Sequence, residues 1–437
     1  MTEENHPNSL PKDFPPNLLH SLALVAGAAL VGSLTSLVGV AFLSLLSQGN
    51  ALRQSLVVTM RDWPPGIGLA ALMFGTAGCA LLGAYLVKRF APNAAGSGVP
   101  DVERILRGTE TPNHAFVLPV KFLGGLVALS SGLVLGREGP LVQMGSVIGE
   151  RVGRLFHFLP TAWKSLMAAG AGAGLCTAFN APVGGTIFIL EEVLRKVTPI
   201  GFVLAATAAS TAALVQRGVF GMGQEYKITA IVAAGSPFIL PAFVCFGLLV
   251  GFLGVAYNKF LLSLVASRGP VQRIPFFSRA LLIGLAVGAV AWFLPLDVGG
   301  GDDVTQRVLA GQGGIILLLT IALARFFLGP LSYVSGTPGG LFAPIVTLGA
   351  LIGASFGTLL HSLAPDIFPA PLAFAVAGMA AFFTASIRAP LTGIVICLEM
   401  TSCFELFLPM LATCLGAYFI PTLLRNDPIY DALANSR

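Results

Sequence analysis

Nine apolar stretches constrain this chain more than any motif in it. Residues 18–46, 67–87, 113–135, 165–193, 235–266, 279–295, 313–333, 341–361 and 405–425 each come close to, or exceed, the roughly 20 residues that a helix needs to cross a bilayer. A water-soluble core has no room for so many, and only 10% of the 437 residues are charged, where a soluble domain carries about 25%. The chain therefore reads as an all-α polytopic membrane protein in a lipid bilayer. Its 52 glycines and 29 prolines are too many for straight spanning helices. They predict tilted, broken and re-entrant helices, which a membrane tolerates only where the exposed backbone is buried in protein or lines a cavity.

Two stretches wedged inside apolar sequence share one design: Gly136-Arg137-Glu138-Gly139-Pro140 and Gly340-Leu341-Phe342-Ala343-Pro344. The glycines let the backbone turn and bring N–H groups close to a ligand, and a proline in a first helical turn sacrifices no hydrogen bond. A helix that starts at membrane depth offers unpaired N–H groups and a partial positive charge, which suits an anion. Gly96-Ser97-Gly98-Val99-Pro100 repeats the design. Alone it reads as a helix start capped by Ser97. Beside the other two it is a candidate third wall, whose hydroxyl can donate one hydrogen bond to a dehydrated anion.

The chain also repeats itself. A shift of 204 lays Gly136, Pro140, Gly145, Ile148 and Gly149 on Gly340, Pro344, Gly349, Ile352 and Gly353. A shift of 208 lays Ala181-Pro182, Gly185, Leu190 and Glu191 on Ala389-Pro390, Gly393, Leu398 and Glu399, and Gly39 to Phe42 matches Gly254 to Tyr257. Matches in the same order argue for duplication, with a first repeat over 18–218, a break at 219–234 and a second repeat over 235–425. Internal repeats are typical of transporters, whose sites form at the repeat interface from discontinuous helices. The duplication by itself leaves open whether the halves are parallel or inverted. Residues 1–17 read as a disordered polar tail. With Glu3 and Glu4 and no basic start, that tail is not expected to be a cleaved signal peptide. Residues 426–437 read as a short tail carrying Tyr430.

Glu138 is the sharpest single signal. A charged carboxylate at bilayer depth costs about 2.5–3.5 kcal/mol, whereas a helix N-terminus returns typically about 0.3–1 and at most about 2 kcal/mol. Stability alone therefore does not explain it: a capping glutamate paired with Arg137 is the lesser reading, and a carboxylate that occupies the anion site and leaves when protonated or displaced is the functional one. Glu191 and Glu192 end an apolar run. Glu191 has a counterpart in Glu399, so the two are assigned a shared structural role such as holding backbone N–H groups, while Glu192 aligns with Met400. Glu192 is either a point of proton access or an interfacial acid beside Arg195 and Lys196; the residues leave both open. Glu103 and Lys121 read either as a buried pair or with a snorkelling lysine. Tyr430 alone reads as an interface anchor. Arg325 and Arg388 stand in or near apolar sequence without an assigned role.

Several classes are disfavoured. There is no phosphate-binding G-x-x-x-x-G-K-[ST] loop, and the five histidines form no metal or catalytic motif, so neither an ATP-driven pump nor an enzyme is expected, and no cofactor or metal. The net charge of +5 has no basic run behind it and implies no nucleic-acid partner. The six cysteines sit in or beside apolar runs without C-x-x-C spacing and read as small hydrophobes.

Taken together, the Gly96–Pro100, Gly136–Pro140 and Gly340–Pro344 loops and the late Tyr430 resemble the signatures of the CLC chloride channels and chloride/proton antiporters, most of all their short bacterial members. The resemblance covers almost the whole chain after the tail. It implies an inverted-repeat helical fold assembled as a homodimer with one pathway per subunit, both termini cytoplasmic, in a bacterial inner membrane. It also implies that the paired nucleotide-binding regulatory domains of many eukaryotic members are missing.

By the same resemblance, a central chloride is held by the Ser97 and Tyr430 hydroxyls and the N–H groups of Leu341 and Phe342. An outer site uses N–H groups around Arg137, Gly139 and Ala343, with Glu138 as surrogate anion, and an inner site lies near Gly96 and Ser97. Glu192 falls where the antiporters carry their inner proton glutamate, and Ser97 resembles the chloride-selective rather than the nitrate-preferring members. The expected function is chloride/proton antiport, with Glu138 as gate and shared proton and anion site. Its rival is a passive chloride channel gated by Glu138.

Overall fold

The computed structural model describes residues 18–111, 115–221, 223, 225–228, 239–266, 269–368 and 371–435. The tail expected over 1–17 and part of the expected break lie outside the described residues. The first half holds α1 (Leu18–Arg61), α2 (Ile67–Phe90), α3 (Val99–Arg107), α4 (Val117–Ser130), α5 (Glu138–Leu155), α6 (Pro160–Phe179), α7 (Pro182–Phe188) and α8 (Pro199–Phe220). The second holds α9 (Leu240–Val265), α10 (Phe276–Phe293), α11 (Asp302–Leu309), α12 (Ile315–Tyr333), α13 (Phe342–Leu363), α14 (Pro371–Ile387), α15 (Pro390–Thr401), α16 (Phe407–Leu423) and α17 (Ile429–Asn435).

Eight of these helices are long and apolar enough to span a bilayer: α1, α2, α8, α9, α10, α12, α13 and α16. Their outward faces carry exposed leucines, isoleucines and phenylalanines such as Leu37, Ile316, Leu323 and Leu415, as lipid contact requires. The protein is a multi-pass membrane protein.

The apolar stretches and the helices differ in instructive places. The run 165–193 breaks in two, because Asn180 turns left-handed (φ 51°) and Pro182 opens α7. α7 then widens into a π-helical turn over Ile189–Val193, a distortion frequent at functional sites. The segment 371–401, absent from the nine runs, forms α14 and α15. Seventeen residues of α14 precede Arg388, short of a full span, and from Ala373 to Ile387 every one is buried. The expected C-terminal tail also forms a helix, α17, whose Ile429, Tyr430, Leu433 and Ala434 are buried.

The two halves pack alike. α5 crosses α6 so closely that a Cβ on Gly145 would lie 2.1 Å from the Gly170 carbonyl, and a Cβ on Gly349 of α13 would lie 2.1 Å from the Gly378 carbonyl of α14. Small residues at such crossings let backbones touch where no hydrophobic effect drives helices together. Between the halves, Glu191 accepts from the N–H groups of Leu391 (3.1 Å) and Thr392 (2.7 Å) and from the Thr392 hydroxyl (2.7 Å). Glu399 returns the contact to Val183 (3.1 Å) and Gly184 (2.7 Å). Each carboxylate sits late in its own helix and caps the start of the other. The equivalent segments therefore run antiparallel about a two-fold perpendicular to both, the relation expected of an inverted repeat. The shared structural role assigned to Glu191 and Glu399 is this reciprocal cap.

Candidate functional site

Three irregular loops meet at the centre of the fold. Gly96 (φ 65°) and Gly98 (φ 83°) are both left-handed, a conformation open to glycine that presents Ser97 between them at the start of α3. The Gly96 N–H donates to the Thr337 carbonyl and the Gly339 N–H to the Gly96 carbonyl, both at 3.0 Å. Gly136 and Gly340 exchange a reciprocal pair, 2.8 Å from the Gly136 N–H and 2.7 Å from the Gly340 N–H. The loop before α13 is thus stitched to both loops of the first half. Lys121, read as a buried partner of Glu103 or as a snorkelling lysine, is fully buried and donates to the Gly96 carbonyl (2.6 Å), while Glu103 takes Arg107 (3.2 Å).

Glu138 begins α5 and turns its carboxylate toward the start of α13. Oε1 accepts from the Phe342 N–H at 2.7 Å, and Oε2 is buried with no hydrogen-bond partner among the described residues. The cradle is glycine on both sides: a Cβ on Gly136 would fall 2.0 Å from Oε2, and one on Gly340 2.1 Å from Oε1. Phe342 is braced by the rings of Phe179 (4.7 Å) and Phe383 (4.3 Å), and Leu341 and Ala343 are buried beside it. Two helix N-termini thus converge on one carboxylate, the charge that their dipoles favour.

Gly139 lies against Ser97, where a Cβ would be 2.8 Å from Oγ. That hydroxyl is fully buried, and the Tyr430 phenol of α17 lies against it, within electrostatic reach of Glu138. Buried polar atoms are nearly always satisfied. The unpartnered Glu138 Oε2 and the Ser97 and Tyr430 hydroxyls gather in one small buried region.

Arg137 points elsewhere. Its guanidinium pairs with Glu225 and, at 3.5 Å, with Asp302, which also accepts from the Tyr226 hydroxyl (3.2 Å). Arg325 carries the loop that leads to Asp302, donating to the carbonyls of Asp297 (2.8 Å), Gly299 (3.0 Å) and Gly300 (2.9 Å). Arg388 donates to the Thr422 hydroxyl (2.9 Å) and the Asn426 carbonyl, holding the approach to α17. These are the roles that sequence could not assign. Glu225 and Asp302 were missed because they lie far from Arg137 in the chain and no local pattern marks them.

Glu192 lies in the π-helical turn, 3% exposed, with Oε1 3.6 Å from the Arg195 guanidinium. It borders a cavity of about 390 Å³ that Arg195, Lys196, Arg388 and Tyr418 also line. A second cavity, about 270 Å³, is lined by Arg137, Arg53, Asp302 and Asp303. The first opens near the start of α15, whose N–H groups Glu191 caps, and the second lies toward its end, where the Met400 carbonyl accepts from Tyr226 (3.0 Å). No hydrogen bond joins Glu192 to Glu138 among the described residues, but the Tyr430 phenol feels both.

Residues 77–422 match the family described as "Voltage gated chloride channel". The chain belongs to that family. It is 37% identical over 427 residues to the H(+)/Cl(-) exchange transporter ClcA of Salmonella typhimurium, covering 94% of this chain and 88% of the relative, and stands equally close to the same-named protein of Salmonella paratyphi A. Among solved structures it resembles that of a slow cyanobacterial Cl-/H+ antiporter, with 31% identity and a TM-score of 0.89 over 94% of this chain and 97% of the other. A CLC-type fluoride/proton antiporter, 22% identical with a TM-score of 0.78 over 96% and 99% of the two chains, shares the fold. In this voltage gated chloride channel fold the three loops before α3, α5 and α13 meet, and α17 lies beside Ser97.

Proposed function

We propose that this protein exchanges chloride for protons across a bacterial inner membrane, as a homodimer with one pathway per subunit and both termini cytoplasmic. The observation that carries the reading is the Glu138 carboxylate, held by the Phe342 N–H between two helix N-termini with one oxygen unpartnered. A carboxylate is a tethered anion, and what holds it can hold chloride once it is protonated or displaced. The reading is further supported by relatives named as H(+)/Cl(-) exchange transporters.

Chloride would pass an inner position near Gly96 and Ser97, a central one held by the Ser97 and Tyr430 hydroxyls with the N–H groups of Leu341 and Phe342, and an outer one at the N–H groups around Arg137, Gly139 and Ala343. The Arg137 guanidinium is paired with Glu225 and Asp302 and so does not stand as a free cation beside the path. Binding by N–H and O–H dipoles stays weak enough for release. A proton would enter at Glu192 and reach Glu138. Because one carboxylate serves both ions, each movement of chloride requires its protonation or displacement, and the fluxes are tied.

The test is proton movement in sealed proteoliposomes under a chloride gradient. Uphill proton transport by the wild type, abolished by Glu138→Gln and by Glu192→Gln while chloride flux persists, is the expected result. Chloride flux without proton movement in the wild type would overturn antiport in favour of a channel.

A further inference from the structure

The residue after Tyr430 belongs to a network that anion and proton binding do not by themselves require. α17 has only seven residues and is tied down by charge. Asp431 gives one carboxylate oxygen to Arg107 of α3 (2.9 Å) and the other to Arg195 beyond α7 (2.7 Å). Both arginines are shared. Arg107 also reaches Glu103 (3.2 Å), and Arg195 reaches the Glu192 carboxylate (3.6 Å) and donates through Nε to the Glu192 carbonyl (3.2 Å). Arg195 is held there in a left-handed backbone conformation (φ 51°) that non-glycine residues adopt seldom. Arg104 adds a bond to the Ala434 carbonyl at 3.4 Å.

We propose that Asp431 is a positioning residue, a latch between the proton carboxylate Glu192 and the Tyr430 phenol; the proposal rests on the antiport reading above. Two guanidinium groups serve three carboxylates, Glu103, Glu192 and Asp431. With Glu192 ionised, Arg195 is divided between Glu192 and Asp431. When Glu192 takes a proton it gives up its claim, Arg195 turns wholly to Asp431, and α17 is drawn in with the phenol against Ser97. When Glu192 passes the proton on, the hold slackens.

Most other charged groups around the opening are engaged elsewhere. Glu191 caps α15, Arg388 holds Asn426, and Arg104 also pairs with Asp101 and Glu110, while Lys196 lines the cavity. The latch thus links proton and anion at the inner end, apart from their shared use of Glu138.

The experiment compares the wild type, Asp431→Asn and Asp431→Glu in proteoliposomes, reading chloride flux and protons moved per chloride. Asp431→Asn keeps the shape and removes the charge, and should lower the proton-to-chloride ratio by about threefold or more, in the range one partly exposed ion pair carries. Asp431→Glu should restore most of it. Arg195→Gln, which cuts one arm with Asp431 intact, should lower the ratio likewise and serves if Asp431→Asn does not yield monodisperse protein. A ratio unchanged in folded variants overturns the latch, as does an equal fall of both fluxes, which is what a merely structural role would give. If the wild type moves no protons the antiport reading fails. The latch is then judged on chloride flux alone, which Asp431→Asn must still change by about threefold or more.

Discussion

Gly340→Ala tests how tightly the central carboxylate is cradled. A methyl at this position would stand 2.1 Å from Glu138 Oε1, 2.7 Å from its carboxyl carbon and 2.8 Å from the Gly139 nitrogen. Ordinary contacts begin near 3.4 Å. The carboxylate must therefore retreat by more than about 1 Å, and the backbone behind it leaves little room to share the movement. That retreat breaks the 2.7 Å bond from the Phe342 N–H. A hydrogen bond to a charged group is worth about 1.5–3 kcal/mol, so occupancy of the present pose should fall by about ten- to a hundredfold. The assay is coupled flux in proteoliposomes, with Gly78→Ala, whose Cβ would meet nothing within 4 Å, as a control for adding a methyl. Protons moved per chloride should drop by about tenfold or more. A folded Gly340→Ala protein whose ratio stays within about twofold of wild type would refute the argument that this carboxylate works from the pose described.

Two further outcomes follow from the same geometry. Glu191→Gln and Glu399→Gln should each lower the thermal midpoint in detergent, by an amount equivalent to about 1–3 kcal/mol. Glu191 should cost more, because it accepts three bonds where Glu399 accepts two; the reverse order would count against the reciprocal cap. Ser97→Ala should weaken chloride binding by about tenfold in calorimetry, the loss of one hydrogen bond to an anion, and an unchanged affinity would remove Ser97 from the site.

Much of the centre was legible because the features that make it are local. A glycine, a small or charged residue and a proline within five positions specify a turn and a helix start, and three such groups inside apolar sequence leave few other readings. The duplication was legible because a shift of 204 aligns glycines at Gly145 and Gly349 that the helix crossings require. What escaped was non-local. Arg137, Glu225 and Asp302 come together only once the chain has crossed the bilayer several times. α14 escaped because seventeen apolar residues fall short of a span, yet it is buried by protein rather than by lipid. Asp431 looked like part of a tail because α17 is too short for periodicity to reveal, and its two arginines come from other elements.

The duplicated scaffold would by itself be blind to direction. Two equivalent halves related by a two-fold offer the same surface to either side of a membrane, and Glu191 and Glu399 keep that equivalence bond for bond. One residue further along it lapses: Glu192 in the first half, Met400 in the second. An acid at the rim of one cavity and a buried thioether in the matching place of the other half set the two halves apart. Glu138, which the shift of 204 lays on Phe342, is a second such lapse, and on the proton route proposed above these two carboxylates are what give an otherwise reversible frame its direction.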